Sequence, residues 1–472
     1  MNHTTVPFGA WHAEETLELV FPDGFEVRRM DPDDAPALDD AAIEAAFARP
    51  IGAPRLRDAV RGRATAAVAV DDLTRPTPAH RVLPFVMAEL EAAGIPRERT
   101  RIVLGTAAHR PMGAAEVERK LGREIAGRYA IVHHDFLGDD LVDLGWHEGG
   151  PVHLARAFVE AEARVCVGGV IPHNETGFGG GSKMVLPGLA GSLTIAHFHG
   201  ALAPRLAGEI EAAPGRLDRR AWSESVARKL GVDAIVGCVV NAHRELAGVH
   251  VGDLVAAHRA AAAQAKALGR TRVSRALAAA CDVVVVNAYP LDTDPIQMGK
   301  SLNLASKIDA RCTVVVNAAS DGVFYHGMGM GSGVQPSRLL AGVPRWLREP
   351  RRPAAWARGM LRGARHPRLA ARLSYFSLNP LAWSAFQAGD GQLPPDGDLP
   401  DTDPAEADPL VLSRRFPAWG FRRKFGGGRL YREWDALAAA LAERVPNARV
   451  LVFPCAPLQL VELVDGDDGA GA

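Results

Sequence analysis

The sequence predicts an α/β protein of two domains, each built on a mainly parallel sheet that is flanked by helices. At 472 residues the chain is too long for one ordinary hydrophobic core. Short apolar runs rich in valine and isoleucine alternate with longer helical patterns through most of its length. Runs such as DVVVV, at 282–286, lack the polar alternation of half-exposed strands and indicate a sheet that is buried on both faces.

The predicted strands share a short β-branched core bounded by polar or glycine residues. They cover 64–72, 100–106, 128–136, 163–172, 233–241, 281–289, 312–318 and 448–454. Helical patterns cover 80–93, 152–163 and 252–268. The last helix ends at Leu268 and a fresh strand begins near Cys281. We therefore assign residues 1–275 to an N-terminal domain and residues 276–455 to a C-terminal domain.

Three segments of the C-terminal half differ in composition from the rest. Residues 343–373 are rich in arginine with interspersed tryptophan and leucine, which is typical of an amphipathic helical cover. A lid over an anionic substrate and a helix on a membrane surface are the alternatives. Residues 391–408 are acidic and proline-rich, which predicts a surface loop or disorder. Residues 456–472 are predicted to be a mostly disordered tail.

Charge and cysteine content restrict the class of protein. There are 54 basic and 55 acidic side chains, and the net charge of −1 gives no reason to expect nucleic acid as a partner. Five scattered cysteines lie in or beside apolar runs without a CxxC pair, as expected for reduced core residues in a reducing compartment. The N-terminus lacks a signal-peptide pattern, and no uncharged apolar stretch is long enough to cross a bilayer. We expect a cytoplasmic protein without stable membrane association.

Polar residues follow several predicted strands, at the edge where parallel sheets bind ligands. DDLTRPTP, at 71–78, contains Arg75, which can grip a carboxylate or phosphate through two parallel hydrogen bonds. GTAAHRPM, at 105–112, contains His109, which can exchange protons near neutral pH. A proline-stiffened turn and a surface histidine are the structural alternatives. The cluster at 133–135 (HHD) favours a supporting role.

The longest motif is PHNETGFGGGSKMVLPG, at 172–188, followed by His197 and His199. A glycine-rich loop lets backbone amides approach an anion closely. Serine precedes Lys183 and methionine follows it, which excludes the Gly-Lys-Ser/Thr order of nucleoside triphosphatases. The motif predicts an anion-binding loop in which Lys183 is held against the ligand with histidines on either side. A flexible linker is disfavoured, because apolar strands flank the loop.

The second domain contributes PLDTDPIQMGK, at 290–300, after its first strand. Lys300 at the end of this motif is predicted to face Arg75 across a cleft, and NAASDG at 317–322 borders the same crevice. The sequence therefore predicts an active site in the cleft between the domains.

Together, these ordered motifs resemble the LarA family of lactate racemases over roughly residues 10–320. The family uses a nickel-pincer nucleotide, a nicotinate-derived cofactor in which two thio-acyl groups hold nickel. The resemblance implies an isomerase, a racemase or epimerase that inverts the C2 carbon of a small 2-hydroxy acid by reversible hydride transfer to this cofactor. It also implies cofactor-biosynthesis proteins as partners. A homo-oligomer is compatible with the sequence.

The resemblance assigns roles to individual residues. Lys183 matches the lysine that is covalently linked to the cofactor, and His199, sixteen residues on, matches the nickel ligand. His109 and His173 match the pair of acid–base histidines, one for each face of the substrate. The residues matched to the substrate carboxylate are Arg75, Gln297 and Lys300. The remaining cofactor-binding positions are Asp72, Gly179, Gly180, Gly181 and Ser182.

Two departures from the family pattern concern the substrate and the acid–base pair. Two alanines precede His109 where the family often reads Gly-Thr-His-Arg, and Ile296 stands where a tyrosine is often found. The second change favours a 2-hydroxy acid other than lactate.

Two other functions stay open at this point. One is a zinc-dependent hydrolase or lyase built on His109, His173 and His199, and the other is a non-catalytic relative that binds the pincer cofactor.

Overall fold

The structure is a computed structural model of the whole chain. It describes residues 2–12, 14–109, 111–136, 138–293, 297–320, 408–416 and 428–465.

The strands of the described residues are, in chain order, β1 (His3–Phe8), β2 (Glu15–Val20), β3 (Glu26–Arg29), β4 (Ala66–Asp71), β5 (Thr100–Gly105), β6 (Ala130–His133), β7 (Leu141–His147), β8 (Gly150–Ala155), β9 (Ala163–Gly169), β10 (Pro172–His173), β11 (Gly177–Phe178), β12 (Ala234–Val240), β13 (Leu246–Gly252), β14 (Arg270–Ser274), β15 (Val283–Asn287), β16 (Cys312–Val316), β17 (Leu410–Leu412), β18 (Arg429–Tyr431), β19 (Arg449–Phe453) and β20 (Leu460–Val464).

The α-helices of the same residues are α1 (Asp40–Ala48), α2 (Leu56–Ala59), α3 (Ala79–Ala92), α4 (Ala114–Leu121), α5 (Arg123–Arg128), α6 (Arg156–Val159), α7 (Ser192–Gly200), α8 (Arg219–Leu230), α9 (Ala256–Leu268), α10 (Arg275–Ala279), α11 (Gly299–Ala305) and α12 (Trp434–Arg444). Short 3-10 helices cover Arg97–Arg99 and Gly181–Met184.

One compact unit contains residues 36–265 and is built on a six-stranded sheet. The strand order is β13-β12-β9-β4-β5-β6, and β13 alone among them runs antiparallel. The chain passes from β4 outward to β5 and β6, then returns to the other side of β4 with β9 and β12. The order therefore reverses between β4 and β9, which is where open parallel sheets bind ligands.

The core of this unit packs helices against strands that are buried along their length. All six residues of β4 and all seven of β12 are buried. Phe158, Phe198 and Trp222 are the largest apolar side chains packed against them, each with no exposed surface. The indole nitrogen of Trp222 donates to the carbonyl of His147 at 3.0 Å, so its polar atom is satisfied within the core.

The other unit contains the described residues of 1–35, 266–325 and 391–472. Its six-stranded sheet is parallel throughout, in the order β18-β17-β16-β15-β19-β3. Val283–Val286 in β15 have no exposed surface, as the uninterrupted valine run predicts. Trp434 and Leu437 of α12 pack in the core of this unit.

The predicted α/β class with parallel-rich sheets is confirmed. Each of the eight predicted strands contains an observed strand, and the helices at 80–93 and 252–268 are confirmed as α3 and α9. The helix predicted over 152–163 is wrong at its start. Residues 152–155 belong to β8, which pairs with β7, and only Arg156–Val159 are helical. Tertiary pairing overrides the local helical pattern here.

The observed units differ from the predicted domains at both ends of the chain. β3 joins the sheet of the C-terminal unit through parallel pairing with β19, so residues 1–35 belong to that unit rather than to the first domain. β20 pairs with β14, so the predicted disordered tail starts too early. Both pairings link distant parts of the chain, which local patterns do not report. Residues 343–373, 391–407 and Ile296 lie outside the described residues.

All five cysteines are buried free thiols, as predicted. Within the part of the chain that the structure describes, no helix is long and apolar enough to span a membrane.

Candidate active site

In the unit of residues 36–265, the predicted motifs lie at the point where the strand order reverses, between β4 and β9. Asp71 ends β4, Gly105 ends the neighbouring β5, and Gly169 ends β9 on the other side. The loops that follow these strands carry Asp72, His109 and the glycine-rich motif. They come together because the carboxyl ends of adjacent parallel strands share one edge of the sheet.

His109 forms a close pair with Asp72. The Nδ1 atom of His109 lies 2.6 Å from Oδ2 of Asp72, and Oδ1 of Asp72 accepts hydrogen bonds from the amide and hydroxyl of Thr74. Burial works to raise the pKa of Asp72, but the charge and hydrogen bond of His109 outweigh it and hold that pKa well below its usual range. A carboxylate only accepts, so Nδ1 of His109 carries a proton, and in the neutral ring Nε2 is the proton-accepting atom.

The two alanines before His109 fit within a tight turn. Ala107 takes a left-handed φ of 50°, and its amide donates to the carbonyl of Gly188. The amide of His109 then donates to the carbonyl of Thr106 at 2.8 Å. The longer loop thus delivers the imidazole to Asp72.

Beneath this pair lies a buried ion pair between Asp71 and Lys120 of α4. Nζ of Lys120 is 2.6 Å from Oδ1 of Asp71 and donates to the carbonyl of Arg75 at 3.2 Å. Oδ2 of Asp71 accepts from the hydroxyl of Thr77 and the amide of Gly169. One carboxylate therefore ties the ends of two strands to the loop that carries Arg75.

The glycine-rich motif folds as a small hairpin followed by a 3-10 turn. β10 and β11 pair with His173 opposite Gly177, and Gly181–Met184 form the turn that carries Lys183. Gly177 has a φ of 69°, and a Cβ there would lie 1.9 Å from the carbonyl oxygen of Glu209. At Gly179 a Cβ would lie 2.8 Å from the carbonyl oxygen of Gly169. The glycines thus allow close packing of the backbone around Lys183.

Arg220, near the start of α8, holds the carbonyl groups of this loop. Its guanidinium is fully buried and donates to backbone carbonyls between Thr176 and Gly180 and to the hydroxyl of Ser182. Burial lowers the pKa of Arg220 to about 9. His258 of α9 adds a 2.9 Å hydrogen bond to the carbonyl of Gly179.

Lys183 points its amine at His173. Nζ of Lys183 lies 3.1 Å from Nε2 of His173, and both residues are buried. Burial, followed by the charge of Arg75, holds the pKa of Lys183 well below its usual range. A lowered pKa increases the fraction of the amine that is uncharged and has a lone pair, which favours Lys183 as a nucleophile for a carbonyl or thio-acyl group.

His199, in the last turn of α7, is held by Glu175. Oε2 of Glu175 is 3.0 Å from Nδ1 of His199, and Oε1 is 2.9 Å from Nη1 of Arg219. Burial lowers the pKa of His199 more than the hydrogen bond to Glu175 raises it, so the imidazole is neutral at neutral pH. Neutral imidazole is the form that binds a metal.

The family resemblance implies that three further residues bind the substrate. Arg75 lies in the first unit, where its guanidinium is 2.9 Å from the hydroxyl of Thr74. Gln297 and Lys300 lie in the second unit, directly before α11 and within it.

Several residues of this site have no role in the sequence analysis. Glu175 stands inside the quoted motif, and Arg219 and Arg220 follow a helix-capping aspartate, Asp218. Paired arginines directly after an aspartate that can cap a helix are a signal that the sequence offers. The sequence gives no such signal for Lys120, because a lysine at this position is typical of the polar face of an amphipathic helix.

Comparison with known proteins shows that this chain is similar to lactate racemases. Residues 12–207 match the family model described as the lactate racemase N-terminal domain. The lactate racemase of Lactiplantibacillus plantarum is 28% identical over 299 residues, which span 61% of this chain and 68% of that protein. The lactate racemase of Thermoanaerobacterium thermosaccharolyticum is 24% identical over 289 residues, spanning 59% and 66%. The chain therefore carries a lactate racemase N-terminal domain at residues 12–207 and is similar to these lactate racemases. The predicted resemblance and enzyme class, isomerase, are confirmed.

Solved structures support the lactate racemase fold over almost the whole chain. The lactate racemase apoprotein from T. thermosaccharolyticum matches with a TM-score of 0.63 and 18% identity, covering 98% of this chain and all of that one. A protein from Thermotoga maritima matches with a TM-score of 0.57 and 16% identity, covering 91% and 100%. The C-terminal unit therefore shares the fold, beyond the part that the family model matches.

Proposed function

We propose that this protein is a racemase or epimerase of a small 2-hydroxy acid that works with a nickel-pincer nucleotide attached to Lys183. The observation that carries the proposal is the buried amine of Lys183, 3.1 Å from Nε2 of His173, at the edge where the strand order reverses. A buried lysine with a lowered pKa beside a histidine suits covalent attachment, because the uncharged amine is the nucleophilic form.

The residues fit such a cofactor. His199 offers imidazole as a metal ligand, with its Nδ1 atom bonded to Glu175. Across the described ranges, no three or more His, Cys, Asp or Glu side chains are grouped to hold a metal. A metal at His199 would therefore take its other donors from the cofactor, as a pincer supplies. The same arrangement disfavours the alternative of a zinc site built from His109, His173 and His199.

The cofactor, when bound, would supply a hydride acceptor. The hydrogen on C2 can then leave as hydride, so no side chain has to remove it as a very weakly acidic proton. The chain's own residues handle the hydroxyl proton and the carboxylate. Nε2 of His109, held by Asp72, is placed to take or return the proton on one face, and Nε2 of His173 serves the other. Arg75 would pin the substrate carboxylate through its guanidinium, and we propose that Gln297 and Lys300 complete the substrate site.

The proposal is tested on protein produced together with the cofactor-biosynthesis proteins, which we propose as its partners. Intact-mass spectrometry is expected to show an adduct that is lost in Lys183→Ala and kept in Lys229→Ala, an exposed lysine of α8. Nickel is expected to be lost in His199→Ala. Racemisation is measured by chiral chromatography of a panel of 2-hydroxy acids.

Two outcomes would overturn the proposal. An unmodified protein that racemises at full rate with zinc would remove the role of Lys183. A protein that carries the adduct and nickel but inverts no acid of the panel would instead be a non-catalytic relative.

A further inference from the structure

We infer that Glu175 is a positioning residue that holds His173 and His199 in opposite tautomers, one through its backbone and the other through its side chain. The inference deepens the proposed function, and its metal-binding consequence depends on that function. The tautomers themselves are a property of the chain alone and can be measured without cofactor.

The side chain of Glu175 sets the tautomer of His199. Oε1 of Glu175 forms an ion pair with Nη1 of Arg219 at 2.9 Å, so the carboxyl is the ionised partner of a guanidinium, and its Oε2 faces His199. An ionised carboxylate accepts hydrogen bonds and donates none. Nδ1 of His199, 3.0 Å away, must therefore carry the proton. In a neutral imidazole this makes Nε2 the nitrogen with a lone pair for a metal.

The backbone of Glu175 sets the tautomer of His173. Its amide donates to Nδ1 of His173 at 3.2 Å. An amide only donates, so this Nδ1 is unprotonated and Nε2 of the neutral ring carries the proton. That Nε2 lies 3.1 Å from the amine of Lys183, whose lone pair can accept the bond.

Arg219 keeps the carboxylate of Glu175 in place. Nη1 of Arg219 pairs with Glu175 at 2.9 Å, while Nε and Nη2 donate to the carbonyls of Phe198 and His199 at 3.0 and 2.7 Å. These carbonyls lie in the last turn of α7, where helices leave acceptors without partners. The guanidinium thus joins the helix that carries His199 to the turn that carries Glu175. The carbonyl of Glu175 is itself held by the amide of Arg205 at 3.0 Å.

The first test uses cofactor-free protein labelled with ¹⁵N-histidine, with resonances assigned through His199→Gln and His173→Gln. In the wild type, NMR is expected to show His199 as the Nδ1–H form and His173 as the Nε2–H form. Glu175→Ala removes the carboxylate and keeps the backbone amide, so His199 is expected to lose its preference while His173 keeps its own. His173 is therefore an internal control for the fold of the loop.

Two variants guard against a merely structural effect. Glu175→Gln keeps the size of the side chain but has one acceptor oxygen for two donors, so an intermediate loss of the His199 preference is expected. Glu224→Gln changes a partly buried glutamate that pairs with Arg259 and is expected to leave both histidines unchanged. A His199 that stays Nδ1–H in Glu175→Ala, or that is Nε2–H in the wild type, overturns the inference.

The second test uses the loaded protein and follows nickel release to a chelator. Loss of the group that orients a metal-bound histidine costs about 10–100-fold in metal affinity. Nickel is therefore expected to leave Glu175→Ala faster by a factor in this range, with the Lys183 adduct intact by mass. Release at the wild-type rate overturns the metal-binding consequence. A wild-type protein without adduct or nickel refutes the proposed function instead, and the NMR test still decides on the tautomers.

Discussion

Oδ2 of Asp72 lies 2.6 Å from Nδ1 of His109, although 37 positions separate the two residues in the chain. The contact joins the loops after two adjacent strands, and it forms in a loop that places two alanines before the histidine. It gives His109, the proposed acid–base residue, a defined tautomer in which Nε2 of the neutral ring is free of the proton.

Asp72→Asn is expected to impair racemisation strongly while leaving the Lys183 adduct in place. The asparagine amide can donate to Nδ1 of His109, which moves the proton to Nε2 and removes the base. A positioned base contributes about 100- to 10,000-fold in rate, so kcat should fall within that range, as in His109→Ala. Chiral chromatography from each enantiomer measures the loss. Near wild-type rates in His109→Ala would show that another group acts as the base, and His134 would be the next candidate.

Lys120→Met is expected to destabilise the protein by about 3–5 kcal/mol, because it leaves the buried carboxylate of Asp71 without its countercharge. Denaturant unfolding measures this loss, with Lys229→Met as a surface control. Adding Asp71→Asn should recover part of it, since residues in direct contact couple by about 0.5–3 kcal/mol. Strictly additive effects of the two substitutions would contradict the ion pair.

Arg220→Met is expected to open the glycine-rich loop. Each carbonyl left buried without a donor costs about 1–3 kcal/mol, and Arg220 serves several of them. Hydrogen exchange should accelerate at residues 176–183, and the yield of the Lys183 adduct should fall. Arg228→Met changes an exposed arginine of the same helix and should do neither. Unchanged hydrogen exchange in Arg220→Met would show that the conformation of the loop does not depend on Arg220.

Asp292 is expected to make stability depend on pH. Its carboxylate is fully buried and accepts from the amides of Gly9 and Ala10, and burial raises its pKa to about 6. From about pH 4, the ordinary value, to about pH 6 the folded state then binds more protons than the unfolded state. The free energy of unfolding should therefore fall as pH rises through this window, by up to about 3 kcal/mol.

Asp292→Asn should remove this slope, whereas Asp309→Asn, at an exposed position, should keep it. The measurement is denaturant unfolding at several pH values between about 4 and 7. If Asp292→Asn kept the wild-type dependence of the free energy of unfolding on pH, other groups would be responsible for it.

The preferred substrate is expected to be a 2-hydroxy acid other than lactate. The motivation is Ile296, where the family often has a tyrosine, because a shorter aliphatic side chain leaves room and removes a donor. A hydrophobic pocket separates substrates by about 1–3 kcal/mol per methylene, so the preference should be broad. The measurement is kcat/KM for lactate beside 2-hydroxybutyrate, 2-hydroxyisovalerate, phenyllactate, malate and gluconate. A clear preference for lactate would contradict the prediction.

Local patterns in the sequence were enough to predict the eight main strands and the motif residues at their ends. A valine run such as 283–286 specifies a buried strand by itself, and a motif such as 172–188 is contiguous in the chain. The position of Asp72 and Lys183 at one sheet edge follows from the general geometry of parallel sheets.

Other features depended on pairing with a partner segment. The sequence alone determined the strands, the motifs and the resemblance to lactate racemases. The tertiary structure decided that β3 crosses into the C-terminal sheet, that 152–155 pair as a strand, and that Glu175 meets His199. β3 and Glu175 find their partners in distant segments, and β8 pairs with the preceding strand β7, so each outcome depends on hydrogen bonds or ion pairs to a partner segment and not on the local pattern alone.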